Sequence, residues 1–239
     1  MKLNDFFKQV NDKAKQLGMV DTEEGRKKKN VIVRKNFSNE VTSVPFFGFI
    51  RPEEQTAGPY SDFSLVFFPT PIENKYVMSL GIGSAGFRND YFLATQPGLR
   101  RLFLSILPND VHHAPFCKVA FSDVETPISF SNPITETGVS LEKYKSVLAI
   151  GCLIDIHTDM TLVNAWIAQY AKIRDWASNQ SQRNAIEVAI SQCRSPKKSF
   201  AQQKEEVLEL LSRRQFIVLQ GAPGTGKTYL AEEIGANFY

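Results

Sequence analysis

No run in this sequence approaches the roughly 20 consecutive apolar residues that a membrane-spanning helix needs, so no segment reads as transmembrane and no membrane partner is expected. The opening, MKLNDFFKQVNDKAKQLGMV, is charged throughout and has no continuous apolar centre, so it does not read as a secretory leader. Cysteine is scarce. Cys117, Cys152 and Cys193 are odd in number, and no two form a C-x-x-C pair. A reduced, cytoplasmic protein with free thiols is the simplest reading. Histidine is equally rare. His112, His113 and Cys117 come nearest to a ligand set, but no second pair stands at metal-site spacing, and a surface turn after Pro108, Asn109 and Asp110 accounts for them. No histidine stands near a Ser or Cys in a recognisable nucleophile motif, which leaves no hydrolase triad. A nuclease pattern of Asp followed by Glu-x-Lys is also missing: Glu142-Lys143-Tyr144-Lys145 and Asp123-Val124-Glu125 both fail it. The net charge of +3 over 239 residues is too small to imply a polyanionic partner by itself.

What is present divides in two. Leu3, Phe6, Phe7, Val10, Ala14 and Leu17 follow one helical face, so the chain should open with an amphipathic helix. Short β-branched and aromatic segments follow at 31–33, 45–50, 63–68 and 76–80, with turn residues between the later ones. Residues 116–121 and 147–156 are further strand candidates. The second could equally open a buried helix, because a continuous apolar run does not fix its period. From Leu162 the spacing turns helical through Ala177, with a second helix, or a continuation after a break at 179–181, over 183–190. A shorter helix is expected over 99–107. Residues 195–199 are polar, contain Pro196, and read as a linker. Beyond them, 200–213 reads as a helix with Ser199 as its cap and Val207, Leu208, Leu210 and Leu211 as its apolar side. The expected fold is therefore an α+β domain over 1–194 and the beginning of a second domain over 200–239.

That second segment carries the most specific motif in the chain. Phe216-Ile217-Val218-Leu219-Gln220 has the composition of a buried strand. It runs into Gly221-Ala222-Pro223-Gly224-Thr225-Gly226-Lys227-Thr228, which satisfies G-x-x-x-x-G-K-[ST] in full, and a helix-compatible run follows. Phosphate oxygens need many donors at close range. Glycines let the backbone curl until successive N–H groups point inward, and they leave room for the ligand. The loop ends on a helix N-terminus, whose free N–H groups and dipole favour an anion. Lys227 should reach the β- and γ-phosphates, and the Thr228 hydroxyl should ligate Mg²⁺ accompanying ATP or GTP. Residues after Thr228 offer only Glu232 and Glu233, both on that same helix. An acidic Mg²⁺-binding strand and a group to orient the attacking water are not among them. The expectation is an incomplete helix, strand, P-loop and helix that does not hydrolyse nucleotide by itself.

Gly-Ala-Pro-Gly-Thr-Gly-Lys-Thr-Tyr resembles the phosphate loop of AAA+ ATPases, in particular the McrB-like branch, where an aromatic often follows the Thr. SLVFFP, YVMSLGIGSAGF and LATQPGLRRLF, within residues 63–107, are similar to segments of the regions that precede the AAA+ domain in McrB-like restriction proteins. The resemblance implies the NTPase subunit of a modification-dependent restriction system. Its N-terminal domain would recognise DNA, its AAA+ domain would assemble into a homo-oligomeric ring, and a separate subunit would carry the nuclease. Only Gly221, Gly224, Gly226, Lys227 and Thr228 carry over to this chain residue by residue.

Other patterns have plainer readings. Gly81-Ile82-Gly83-Ser84-Ala85-Gly86 matches G-x-G-x-x-G, but Pro97-Gly98 interrupts where a dinucleotide fold needs a helix, so a glycine turn is expected. Arg26, Lys27, Lys28 and Lys29, with Arg34 and Lys35, form the densest basic cluster. Arg88, Arg100 and Arg101 form a looser one. Both are candidates for nucleic-acid phosphate contact, and solvated surface explains them equally well. A nucleic-acid-binding or partner-binding module with a non-hydrolysing P-loop is the alternative to the NTPase reading.

Overall fold

A computed structural model describes residues 2–37, 44–83, 97–117, 144, 147–194, 200–213, 216–219 and 227–236. Helix α1 (Leu3–Gln16) buries Leu3, Phe6, Phe7, Val10 and Ala14, the stripe that the spacing picks out. It stops at Gly18, whose φ of +99° lets the chain turn back: Met19 N–H donates to the Ala14 carbonyl at 3.0 Å and Gly18 N–H to that of Lys15 at 3.0 Å. This is the paired bonding of a glycine C-cap. A Cβ on Gly18 would lie 2.3 Å from the Trp176 carbonyl oxygen. Gly18→Ala should therefore cost more than about 2 kcal/mol, since left-handed strain adds to overlap with immovable backbone. An unchanged denaturation midpoint would count against this corner as described.

Among the described residues six strands form one sheet: β1 (Ile32–Asn36), β2 (Phe46–Ile50), β3 (Phe63–Pro69), β4 (Lys75–Ile82), β5 (Phe116–Cys117) and β6 (Leu148–Asp155). Their order is β1-β2-β3-β4-β6-β5, and every neighbouring pair is antiparallel. Helices α2 (Pro97–Leu104), α3 (Met160–Ile173) and α4 (Gln180–Cys193) follow among the described residues of the unit. Together with α1 these elements are mixed α+β, and they lie within a compact unit, Met1–Arg194.

Alternation along β3 assigns its faces. Phe63, Leu65 and Phe67 join Phe47, Phe49, Met78, Leu80, Ile150 and Cys152 in the main core with α1 and α3. Val66 and Phe68 point the other way and meet Val44, Val77, Phe116 and Leu148 in a smaller cluster. Both faces of the central strands are thus covered. Hence 147–156 reads as an unbroken apolar run and β6 is a strand rather than a helix. Phe6 packs against Phe47, Phe67 and Tyr76 at 4.5–5.6 Å between ring centroids. Trp166 of α3 meets Phe103 of α2 at 4.8 Å.

Three helix boundaries differ from the spacing. Helix α3 ends at Ile173, with Asp175 at a φ of +51°, and leaves Trp176 and Ala177 outside the helix. Helix α4 starts at Gln180 because the Asn179 side chain accepts the Gln182 N–H at 2.9 Å; the polar triplet at 179–181 caps the helix instead of breaking it. Helix α2 spans Pro97–Leu104, and hydrogen-bonded turns carry it on to Leu107.

The second unit, Ser195–Tyr239, contains α5 (Phe200–Arg213) and α6 (Lys227–Gly235). On α5 the half-buried residues are Lys204, Val207, Leu208 and Leu211, an i, i+3, i+4, i+7 stripe; Leu210 falls off it and is 41% exposed. The expected buried strand is not formed over residues 216–219. These are irregular, and Phe216 and Val218 are 79% and 72% exposed. A strand of this composition is stabilised by ladder partners on both sides, and the described residues of this unit supply none. Gln220, Gly221 to Gly226, Ser199, the linker 195–199, Arg88, residues 84–86, 118–121 and 123–125, and Glu142, Lys143 and Lys145 lie outside the described residues.

Candidate functional site

The last two motif positions open a helix. Lys227 and Thr228 form the start of α6, Lys227 half-buried and Thr228 exposed. The first N–H groups of any helix lack intrahelical acceptors, and its dipole is positive there, so this end favours an anion. Leu230 and Ile234, one turn apart, are the buried side of α6, at 9% and 5% exposure. Tyr229 meets Phe200 of α5 with ring centroids 5.1 Å apart, and Lys204 bridges Glu233 at 3.2 Å. Both contacts advance four residues on each helix, from 200 to 204 and from 229 to 233. The two helices therefore run side by side in the same direction, each contact one turn beyond the last.

The structure separates the basic candidates. Glu24 and Lys27 exchange backbone hydrogen bonds at 3.2 and 3.0 Å around Gly25, whose φ is +59°. Glycine at the first central position with φ > 0 is what a two-residue type II′ turn requires. Asn30 closes the base of this loop: its Oδ1 accepts the Val20 N–H at 2.7 Å and its Nδ2 donates to the Gly18 carbonyl at 3.0 Å. Arg26, Lys27 and Lys28 stand exposed at the tip, and Lys29 is half-buried. Arg34 is engaged elsewhere. Its Nη1 and Nη2 donate to the carbonyls of Gly58 and Gln55 at 2.8 and 2.7 Å, and its guanidinium lies over the Tyr60 ring at 5.2 Å. It fastens the β2–β3 connection. Burial pushes the Tyr60 phenol up to about 12, against a partial offset from its 2.6 Å hydrogen bond with Ser64. The Lys35 ammonium sits 4.8 Å from the Phe7 ring centre and 5.7 Å from that of Phe37. Arg100 and Arg101 lie in α2, with Arg101 exposed.

His113 has carboxylate partners rather than thiol ones. Its Nδ1 lies 2.7–2.8 Å from the two Asp110 oxygens and its Nε2 3.3 Å from Asp159 Oδ2, beside a cavity of about 160 Å³ that Lys75, His112 and Asp155 also line. The hydrogen bond from His113 is the chief reason that the Asp110 carboxyl is held below its ordinary value. A depressed folded-state value means that this contribution to stability is complete above the unfolded value of about 3.9 and is lost as pH falls through the folded one. In His113→Ala the Asp110 midpoint, followed by carboxyl-carbon NMR, should move upward; an unmoved midpoint would show that the imidazole is not responsible.

Sequence reasoning missed one cluster altogether. Arg174, the C-cap of α3, donates through Nη2 to the Phe63 carbonyl at 2.6 Å and lies 2.5 Å from Oδ2 of the buried Asp62 carboxylate, with the Arg51 Nε 3.8 Å from the same oxygen. More than a hundred residues separate Arg174 from Phe63, and no local pattern marks the pair. No family model, no curated protein and no solved structure matches this chain.

Proposed function

We propose that the chain is part of a P-loop NTPase of the McrB-like AAA+ type, one that binds ATP or GTP with Mg²⁺ and, in the full protein, couples hydrolysis to the restriction of foreign or modified DNA. The observation that carries this reading is the unbroken motif from Gly221 to Thr228, whose last two residues open α6. Lys227 supplies positive charge to the β- and γ-phosphates, and the glycines leave their N–H groups for the phosphate oxygens. The exposed Thr228 hydroxyl suits a Mg²⁺ ligand; the ion, when bound, neutralises charge on the phosphates. In the same reading the sheet-and-helix unit recognises DNA, the AAA+ portion forms a homo-oligomeric ring, and a separate nuclease subunit cuts. Titration of the purified protein with a fluorescent ATP or GTP analogue and Mg²⁺ tests it. Saturable binding that Lys227→Ala removes is expected, and equal binding by the variant would sink the assignment.

The exposed Arg26, Lys27 and Lys28 hairpin favours a second reading, a nucleic-acid-binding module whose P-loop does not turn over. Salt-dependent DNA binding, indifferent to nucleotide and to Lys227→Ala, would select it.

A further inference from the structure

Tyr229 and Phe200 form an apolar surface beside the proposed phosphate site that the packing of their own unit does not use up. The inward stripe of α6 is taken by Leu230 and Ile234, whereas Tyr229 remains 57% exposed and Phe200 39% exposed, although each ring has the other as a neighbour. Their placement is fixed from both sides: the rings touch at one turn, and Lys204 bridges Glu233 at the next. Helical side chains lean toward the N-terminus of their helix. Tyr229 is the third residue of α6, so its ring leans over the turn that Lys227 and Thr228 occupy. An aromatic ring on the first turn of an anion-favouring helix end matches a ligand with one flat apolar part and one multiply charged part.

We propose that Tyr229, backed by Phe200, is the platform on which the base of the bound nucleotide stacks, with purines favoured over pyrimidines for their larger ring. This rests on the reading of Lys227 and Thr228 as phosphate ligands. Stacking tolerates any base, because every base has a π-face, so the pair sets base affinity and leaves the choice between adenine and guanine to other groups. Phe200 contributes by holding the tyrosine ring in place through their tilted, 38° contact.

The test separates base from phosphate. ATP, GTP, CTP and inorganic tripolyphosphate, each with Mg²⁺, are titrated calorimetrically into the full chain and into Tyr229→Leu, Tyr229→Phe and Lys227→Ala. Tyr229→Leu should weaken ATP and GTP about tenfold, the scale of one base–aromatic stack, while tripolyphosphate affinity changes less than about twofold on that scale. Tyr229→Phe should restore nucleotide affinity, and Lys227→Ala should weaken all four ligands. Unchanged ATP and GTP affinity in Tyr229→Leu would overturn the stacking role. So would an equal loss of tripolyphosphate, which would make Tyr229 a packing residue of α6. Failure of the unaltered chain to bind either a nucleotide or tripolyphosphate would remove the phosphate reading itself, and the stacking proposal with it.

Discussion

Arg174→Met is expected to lower the stability of the Met1–Arg194 unit by about 3 kcal/mol, the cost of breaking a buried pair from one side. Asp62 and Arg174 are 7% and 12% exposed in their side chains. Their charged atoms are 2.5 Å apart, yet Asp62 Oδ2 has no well-directed hydrogen-bond donor and Arg174 Nε has no acceptor, so the contact is an ion pair more than a hydrogen bond. The guanidinium also lies 3.7 Å over the Phe63 ring and donates to the Phe63 carbonyl. Methionine keeps most of the volume and loses all three interactions, leaving the Asp62 carboxylate with Arg51 at 3.8 Å as its cation among the described residues. Because much of the loss is that uncompensated charge, Asp62→Asn on the Arg174→Met background should recover part of it. A double-mutant cycle by urea unfolding reads the coupling. Two single losses that add would show that Arg174 acts through packing on Phe63 alone.

This pair marks where the sequence stops being informative. The α1 stripe was legible because a helix against a sheet has one dry face, and Leu3, Phe6, Phe7, Val10 and Ala14 mark it every three or four residues. The strands were legible from composition, since Phe, Val and Ile gather where both sheet faces are covered. For the same reason the periodicity of β6 was lost, and its pairing with β4 over 75–81 and with β5 identifies it as a strand. Strand order was not readable: β5 sits outside β6 although it precedes it in the chain, and nothing local in Phe116 and Cys117 says so. Basic residues show the same limit. Arg26 and Arg34 look alike as letters, but one stands exposed on a hairpin tip and the other is fastened to carbonyls more than twenty residues away. The proposed phosphate loop is the opposite case. Phosphate binding by such a loop depends on backbone conformation over eight consecutive residues, so glycine spacing is where a sequence would record it, and the helix that begins at Lys227 is the part of that expectation that the described residues include.

Lys227→Ala is expected to weaken nucleotide binding by roughly 100-fold, on the order of 3 kcal/mol, the upper range for a hydrogen bond to a charged partner. The size follows from the distribution of charge. A nucleoside triphosphate concentrates negative charge on its terminal phosphates. Around the motif the described side chains offer one adjacent cation, Lys227, with Thr228 neutral and Glu232 and Glu233 further along the helix. Backbone N–H groups of the loop and the helix dipole remain in the variant, so binding should fall steeply without disappearing at millimolar ligand. Lys227→Arg should not rescue it. A planar guanidinium needs more room than the ammonium at the end of a flexible stem that this motif calls for, and it presents a fork instead of a point charge. Thr228→Ala should act differently, weakening binding only when Mg²⁺ is present, because its hydroxyl is proposed to serve the ion. Fluorescent-nucleotide titrations with and without Mg²⁺ distinguish the two. The assignment of roles is overturned if Lys227→Ala loses affinity only with the ion present, or if Thr228→Ala loses it equally in both conditions. An intact far-UV circular dichroism spectrum in each variant would tie the losses to the site, since the buried stripe of α6, Leu230 and Ile234, is untouched by either change.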